Sequence, residues 1–158
     1  MNKGKIKELK EIKESVWLKM PVEIANLLSN TGPLQPAGKI IYAECDARIL
    51  HEFLWDVRMM LYEKDTNYNC AKQFTMVLLK YFQKKFSGLY FLKSVANVIK
   101  LVMEGINECK ESTEFLEFVD EFILYIGRIS MWLDLLIPWH YLNQTFKKHA
   151  RLRSRNHY

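Results

Sequence analysis

Apolar residues recur at every third or fourth position along almost the whole chain, and this period constrains the fold more than any other feature. Near the start, Ile6, Leu9, Ile12 and Val16 repeat in this way, with Lys and Glu filling the other face. An α-helix turns once per 3.6 residues, so such spacing lays one apolar stripe along one side. No alternating run of β-branched residues lasts long enough to make a strand. Only six Gly and four Pro punctuate 158 residues, so the helices should be long and the turns few.

The period predicts the following elements. After the first stripe, Pro21 suits the first turn of a new short helix carrying Val22, Ile24, Leu27 and Leu28, since a first-turn residue needs no N–H. The segment SNTGPLQPAGK over 29–39 is the one long loop. A second long helix over about 40–64 has the stripe Ile49, Leu50, Phe53, Leu54, Val57, Met60 and Leu61, and DTNYN breaks it. A third over about 70–86 is expected to turn Phe74, Val77, Leu78 and Tyr81 inward, and Gly88 can take the left-handed conformation that ends it. A fourth carries Leu89, Leu92, Val95, Ile99, Val102 and Ile106. A fifth, N-capped by Thr113 or Ser112, runs to residue 137, where Pro138 interrupts and a last basic helix follows. The expected fold is all-α: a bundle or short solenoid of about five to six antiparallel helices. Residues 1–158 make one domain, with a core over about 5–137 and a basic helix or tail over 138–158.

Hydrophobic residues at 49% and charged ones at 26% are ordinary for a folded chain and exclude disorder as the main state. The most apolar window, 115–137, contains Glu117, Asp120, Glu121, Arg128 and Asp134. Each such charge costs about 2.5–3.5 kcal/mol at a bilayer centre, so the window reads as a core helix. Cys45, Cys70 and Cys109 lie far apart, with no Cys-x-x-Cys pair and no Cys/His cluster. They read as reduced thiols in the cytosol or nucleus, and no metal site is expected.

Catalytic patterns are missing. Gly32 and Gly38 flank prolines and build no phosphate-binding loop, and neither a Gly-x-Ser-x-Gly elbow nor a His-Glu-x-x-His pair occurs. Glu117 and Glu121 lie four apart on one helix face with Asp120 nearby, which reads as a solvated face rather than an acid–base pair. Arg151 and His157 in RLRSRNH have the spacing of small helical ribonucleases, but at a chain end little would hold them in attack geometry. His51 and His140 stand alone. The expectation is a protein that is not an enzyme and takes no cofactor.

Charge suggests binding instead. The formal net charge is +5, and after Asp134 the chain has no acidic residue but carries Lys147, Lys148, Arg151, Arg153 and Arg155. Lys3, Lys5, Lys7, Lys10 and Lys13 add a second group, diluted by Glu8, Glu11 and Glu14. Such a surface suits a polyanion, either nucleic acid or the acidic outside of a microtubule.

Read in order, the landmarks resemble the C-terminal helical (con80) domain of the katanin regulatory, non-ATPase subunit. IKELKEIKESVW ends in the hydrophobic-Trp step Val16-Trp17, VEIANLL follows as a short helix, and DARILHEFLWDV begins at Asp46. LLKYFQKKFSGLYFLKSVANVIKLV supplies the basic-aromatic corner through Lys85, Phe86 and Tyr90. The resemblance covers roughly residues 5–137. It implies an accessory subunit, an isolated module or one of the short meiotic type, that binds the N-terminal domain of the katanin ATPase and contacts microtubules in the cytoplasm and spindle. On that reading Trp17, Trp55, Phe86 and Tyr90 are the partner anchors. Lys84, Lys85, Lys147, Lys148, Arg151, Arg153 and Arg155 would face the microtubule. The alternative is a small basic helical nucleic-acid-binding protein.

Overall fold

The computed structural model describes the backbone of residues 2–29, 36–63 and 67–155, and the side chains of 3–23, 25, 38–63 and 67–137. Five α-helices follow one another: α1 (Asn2–Ser29), α2 (Pro36–Tyr62), α3 (Tyr68–Lys84), α4 (Lys93–Glu108) and α5 (Ser112–Arg155). No strand occurs among the described residues. The all-α expectation holds.

Cross-links between helices show how they run. Lys72 on α3 reaches the carbonyls of Asn107 and Cys109 at the far end of α4, so those two are antiparallel. Arg58 on α2 meets Asp120 on α5, while His51 lies against Gly127, again antiparallel. α1 and α5 instead run the same way: Lys10 pairs with Glu117, Lys13 with Glu121, and Trp17 packs on Trp132. An up-down path of five helices brings its first and last elements back parallel. Their contact closes a bundle, whereas in a solenoid each unit would touch only its neighbours.

α5 supplies the centre of the core. Phe115, Phe118, Val119, Phe122, Ile126, Ile129 and Leu133 are buried along it, and α2 answers with Leu50, Leu54 and Val57. Each large apolar side chain removed from water contributes about 1.5–3 kcal/mol. Gly105 on α4 marks the closest approach to α5, because a Cβ there would lie 2.3 Å from the Phe118 ring.

Several local expectations need correction. α1 runs unbroken through Pro21, and α5 through Pro138. The missing proline N–H weakens one turn, but burial of Val16 and Met20 just before Pro21 anchors α1 there. The inward stripe of α3 is Ala71, Thr75, Leu79 and Phe82; Phe74, Val77 and Tyr81 face outward. Asn67 caps α3, its side-chain oxygen accepting from the amides of Asn69 and Cys70 at 3.0 and 3.2 Å. At the start of α5 it is Glu111, not Ser112 or Thr113, whose carbonyl accepts the amide of Phe115.

The corner at 85–92 also differs from expectation. Gly88 does not take a positive φ; Phe91 does, at 59°. α3 widens into a π turn over Lys85–Leu89, and the amide of Leu92 then donates to the Phe86 carbonyl at 2.8 Å. The wide turn projects both Phe86 and Tyr90 inward, where their rings meet edge-on at 5.5 Å. Non-glycine residues adopt positive φ only where the surroundings enforce it. Here the Lys39 ammonium sits 5.0 Å over the Phe91 ring.

Candidate functional site

The outer half of α2 carries an unusual load of exposed apolar surface. Tyr42, Ile49 and Phe53 share one edge, since steps of seven and four residues return to nearly the same side of a helix. Trp55, Met59 and Tyr62 occupy the other edge by the same reasoning, and Trp55 is 43% exposed. The Arg58 guanidinium lies 5.1 Å from both the Trp55 and Tyr62 rings and donates to Asp120 at 2.6 Å. This clamp fixes the two rings against α5, so they are presented in a preset orientation. His51 stands edge-on to Trp55 at 6.4 Å, and partial burial holds its imidazole below the ordinary value.

α3 extends the surface. Phe74, Val77 and Tyr81 form an exposed stripe. Lys85 joins the Tyr81 end of that stripe to α2: its ammonium lies 4.9 Å over the Tyr81 ring and 3.3 Å from the Asp46 carboxylate. The Tyr81 hydroxyl, and then Asp46, hold the lysine above its usual pKa. Beneath them the buried Tyr90 hydroxyl donates to Asp46, and burial raises that phenol far above its ordinary range. Asp46 and Tyr90 are buried in this network, while Tyr81 stays exposed at its edge.

Several other charges are also engaged. Lys5, Lys10 and Lys13 pair with Glu108, Glu117 and Glu121, and Arg128 donates to the Lys13 carbonyl. On the acidic face of α5, Glu121 is largely covered by its pair with α1, while Glu117 and Asp120 pair with α1 and α2 and stay partly in solvent. Among the described residues no group of His, Cys, Asp and Glu could hold a metal ion. None of the three cysteines forms a disulfide, and burial pushes the Cys109 thiol up to about 11. No helix of the described residues is long and apolar enough to cross a membrane.

The anchors expected from sequence divide. Trp17 and Trp55 are exposed at 38% and 43%, whereas Phe86 and Tyr90 are buried in the core and present no surface to a partner. Those two are corrected to packing residues, turned inward by the π turn. Lys84 is exposed, while Lys85 is half-buried and spent on Asp46. Lys147, Lys148, Arg151, Arg153 and Arg155, with His140 and His157, lie outside the residues whose side chains are described. The sequence reading missed Phe74, Tyr81 and Met59 as surface residues. Large apolar residues on both sides of α2 and α3 were the signal, because one helix cannot bury both sides of itself.

Comparison with known proteins changes the family. Residues 3–135 match the family described as the cucumopine synthase C-terminal helical bundle domain. Searches of curated proteins and of solved structures find no match. The family match overturns the katanin resemblance, and with it the accessory subunit of a microtubule-severing ATPase. The landmarks that carried it are generic to packed helices: a Val-Trp step, a helix opened by Asp46, a basic-aromatic corner. The partners and spindle location it implied have no other support. Nucleic-acid binding has no support either, and the basic tail on which that alternative rested lies outside the residues whose side chains are described. Over most of its length, this chain belongs to the cucumopine synthase C-terminal helical bundle domain family.

Proposed function

We propose that the chain is a non-catalytic helical module of an enzyme system of the cucumopine synthase type, and that its α2–α3 face docks on the portion that performs the chemistry. The observation that carries this reading is the exposed apolar surface of α2 and α3: Phe53 on one edge of α2, Trp55, Met59 and Tyr62 on the other, held by Arg58, and Phe74 and Tyr81 on α3. Large apolar side chains left exposed in such number ordinarily mark an interface, and Trp, Tyr and Arg dominate interface energetics. The family name supports the assignment, since it gives the bundle as the C-terminal part of a synthase. Such a module would position and stabilise its catalytic neighbour without contributing a reacting group.

The test combines the chain with a cucumopine synthase lacking its own helical bundle, reading association by sedimentation and cucumopine formation by chromatography. The expected result is a one-to-one complex with restored or increased synthesis. Trp55→Ala should weaken the complex about thirtyfold or more, as loss of a hot-spot residue does, while leaving the helical content unchanged. Cucumopine formed by the chain alone would end the non-catalytic reading. Two folded components that do not associate would end the docking reading.

A further inference from the structure

The lysines of this protein fall into two groups that the fold treats differently. On α1, Lys5, Lys10 and Lys13 meet Glu108, Glu117 and Glu121. From Thr66 to Met103, by contrast, the chain carries six lysines and no acidic residue. Two of the six are engaged: Lys85 meets Asp46, and Lys72 donates to the carbonyls of Asn107 and Cys109. The other four, Lys80, Lys84, Lys93 and Lys100, are exposed and form no ion pair among the described residues.

Topology gathers these four. Because Lys72 lies beside Asn107 and Cys109, and α3 and α4 are antiparallel, each step forward on α3 matches a step back on α4. Lys80 therefore stands about level with Lys100. Lys84 lies one turn beyond Lys80 on the same side of α3, and Lys93 shares the outward side of α4 with Lys100. The band of positive charge borders the exposed stripe Phe74, Val77 and Tyr81, since Val77 is three positions before Lys80 and seven before Lys84.

Apolar surface beside uncompensated lysines suits a partner that is itself both apolar and acidic. An anionic bilayer and an acidic amphipathic helix both have that chemistry, and α2 favours the helix. Glu52 and Asp56 are exposed along α2, while its arginines are paired, Arg48 with Glu44 and Arg58 with Asp120. A uniformly negative plane laid across α2 and α3 would press on those α2 carboxylates. A single helix need cover only α3 and its border with α4. The stripe from Phe74 to Tyr81 spans about 10 Å, two turns of a helix lying along it.

We infer that the element received by the α3 side of the docking face is an acidic amphipathic helix. Its apolar stripe lies on Phe74, Val77 and Tyr81, and its carboxylates meet Lys80, Lys84 and Lys100. This names the partner chemistry for the docking proposed for the α2–α3 face, and rests on it. The opposite charges steer and orient the helix, and the apolar contacts hold it.

Two synthetic helical peptides with the same leucine stripe, one edged with Glu and one with Lys, serve as probes, together with phosphatidylserine vesicles. Fluorescence anisotropy reads peptide binding to the full chain, and co-sedimentation reads vesicle binding. The Glu peptide should bind about tenfold more tightly than the Lys peptide, the gap shrinking as salt rises, because several exposed charge pairs each contribute a little. Lys80→Glu combined with Lys84→Glu should reverse the preference, and Lys100→Glu on the other helix should narrow it. Lys7→Glu, on α1, should leave it unchanged. All four lysines are exposed, so the variants should keep the helical content of the parent. Equal affinity for the two peptides would overturn the proposal, as would a preference that survives the double reversal, or vesicle binding with neither peptide bound. Association with the synthase lacking its helical bundle separates the two readings. If it occurs but ignores the double reversal, docking stands and the acidic helix is overturned. If it is absent while the Glu peptide is still preferred, docking on the synthase is overturned and the preference for an acidic helix is supported.

Discussion

Helices α3 and α4 lie side by side and each carries a stripe of large apolar residues, yet only α4 buries its own. Val95, Ile99, Val102 and Ile106 are fully enclosed, because α4 touches α1, α3 and α5. On α3 the large residues Phe74, Val77 and Tyr81 face water, and the interior receives Ala71, Thr75, Leu79 and Phe82 instead. Small residues let two helix backbones approach, and the buried Thr75 hydroxyl is satisfied by the Ala71 carbonyl at 2.7 Å. An apolar stripe shows that a helix has a greasy side. Its neighbours decide whether that side is the inside. The exposed α3 stripe forgoes part of the roughly 1.5–3 kcal/mol that full burial of a large side chain brings, about half for Phe74 and Tyr81, which a docking partner could recover.

The contrast can be broken most sharply by truncation. Ile99→Ala on α4 should cost about 2–5 kcal/mol, and Phe74→Ala on α3 less than about 0.5 kcal/mol despite removing more atoms; chemical denaturation of both variants measures the difference. Equal losses would show that the α3 stripe is buried after all. A smaller effect comes from adding atoms. Gly105→Ala gains helix propensity, but its methyl group meets the enclosed Phe118 ring, so a net loss of about 1–3 kcal/mol is expected. Unchanged or raised stability would mean that α4 and α5 are not in close contact there.

The mildest effect concerns the two thiols that these helices carry. Cys70 on α3 is exposed, while Cys109 at the end of α4 is buried and donates to the Gly105 carbonyl at 3.1 Å. Cys70 should react first with a thiol reagent, and Cys109 only on unfolding. The Cys109 pKa rises from 9.0 in the unfolded chain to about 11 in the fold. Above pH 9 the unfolded form loses a proton that the folded form keeps, so this contribution is present in full below 9 and is lost as pH rises to 11. Cys109→Ala should flatten the stability-against-pH curve across that window; an unaltered slope would assign it elsewhere.

How much was legible in the sequence varies by element. The stripe Leu92, Val95, Ile99, Val102 and Ile106 was read correctly as core, as were Ile6, Leu9 and Val16, because their three- and four-residue spacing sets them on the side of the helix that the rest of the bundle covers. Tyr90 and Phe86 could not be placed, since their direction depends on a π turn that has no local signature. Family membership was misread because short helical landmarks recur in unrelated bundles, while a match across residues 3–135 draws on all of them together.

The amino-acid order alone determined that this chain is helical throughout its described length and where most turns fall, because helical period, capping by Asn67 and proline-glycine loops act between residues close in sequence. Only the tertiary structure decided which side of α3 is hidden, that α1 and α5 continue through their prolines, and that the α1 lysines are matched by acids about a hundred residues away. Those outcomes are set by contacts between distant segments. Packing of that kind outweighs local preferences worth about 1 kcal/mol each, apart from the roughly 3 kcal/mol of an interior proline.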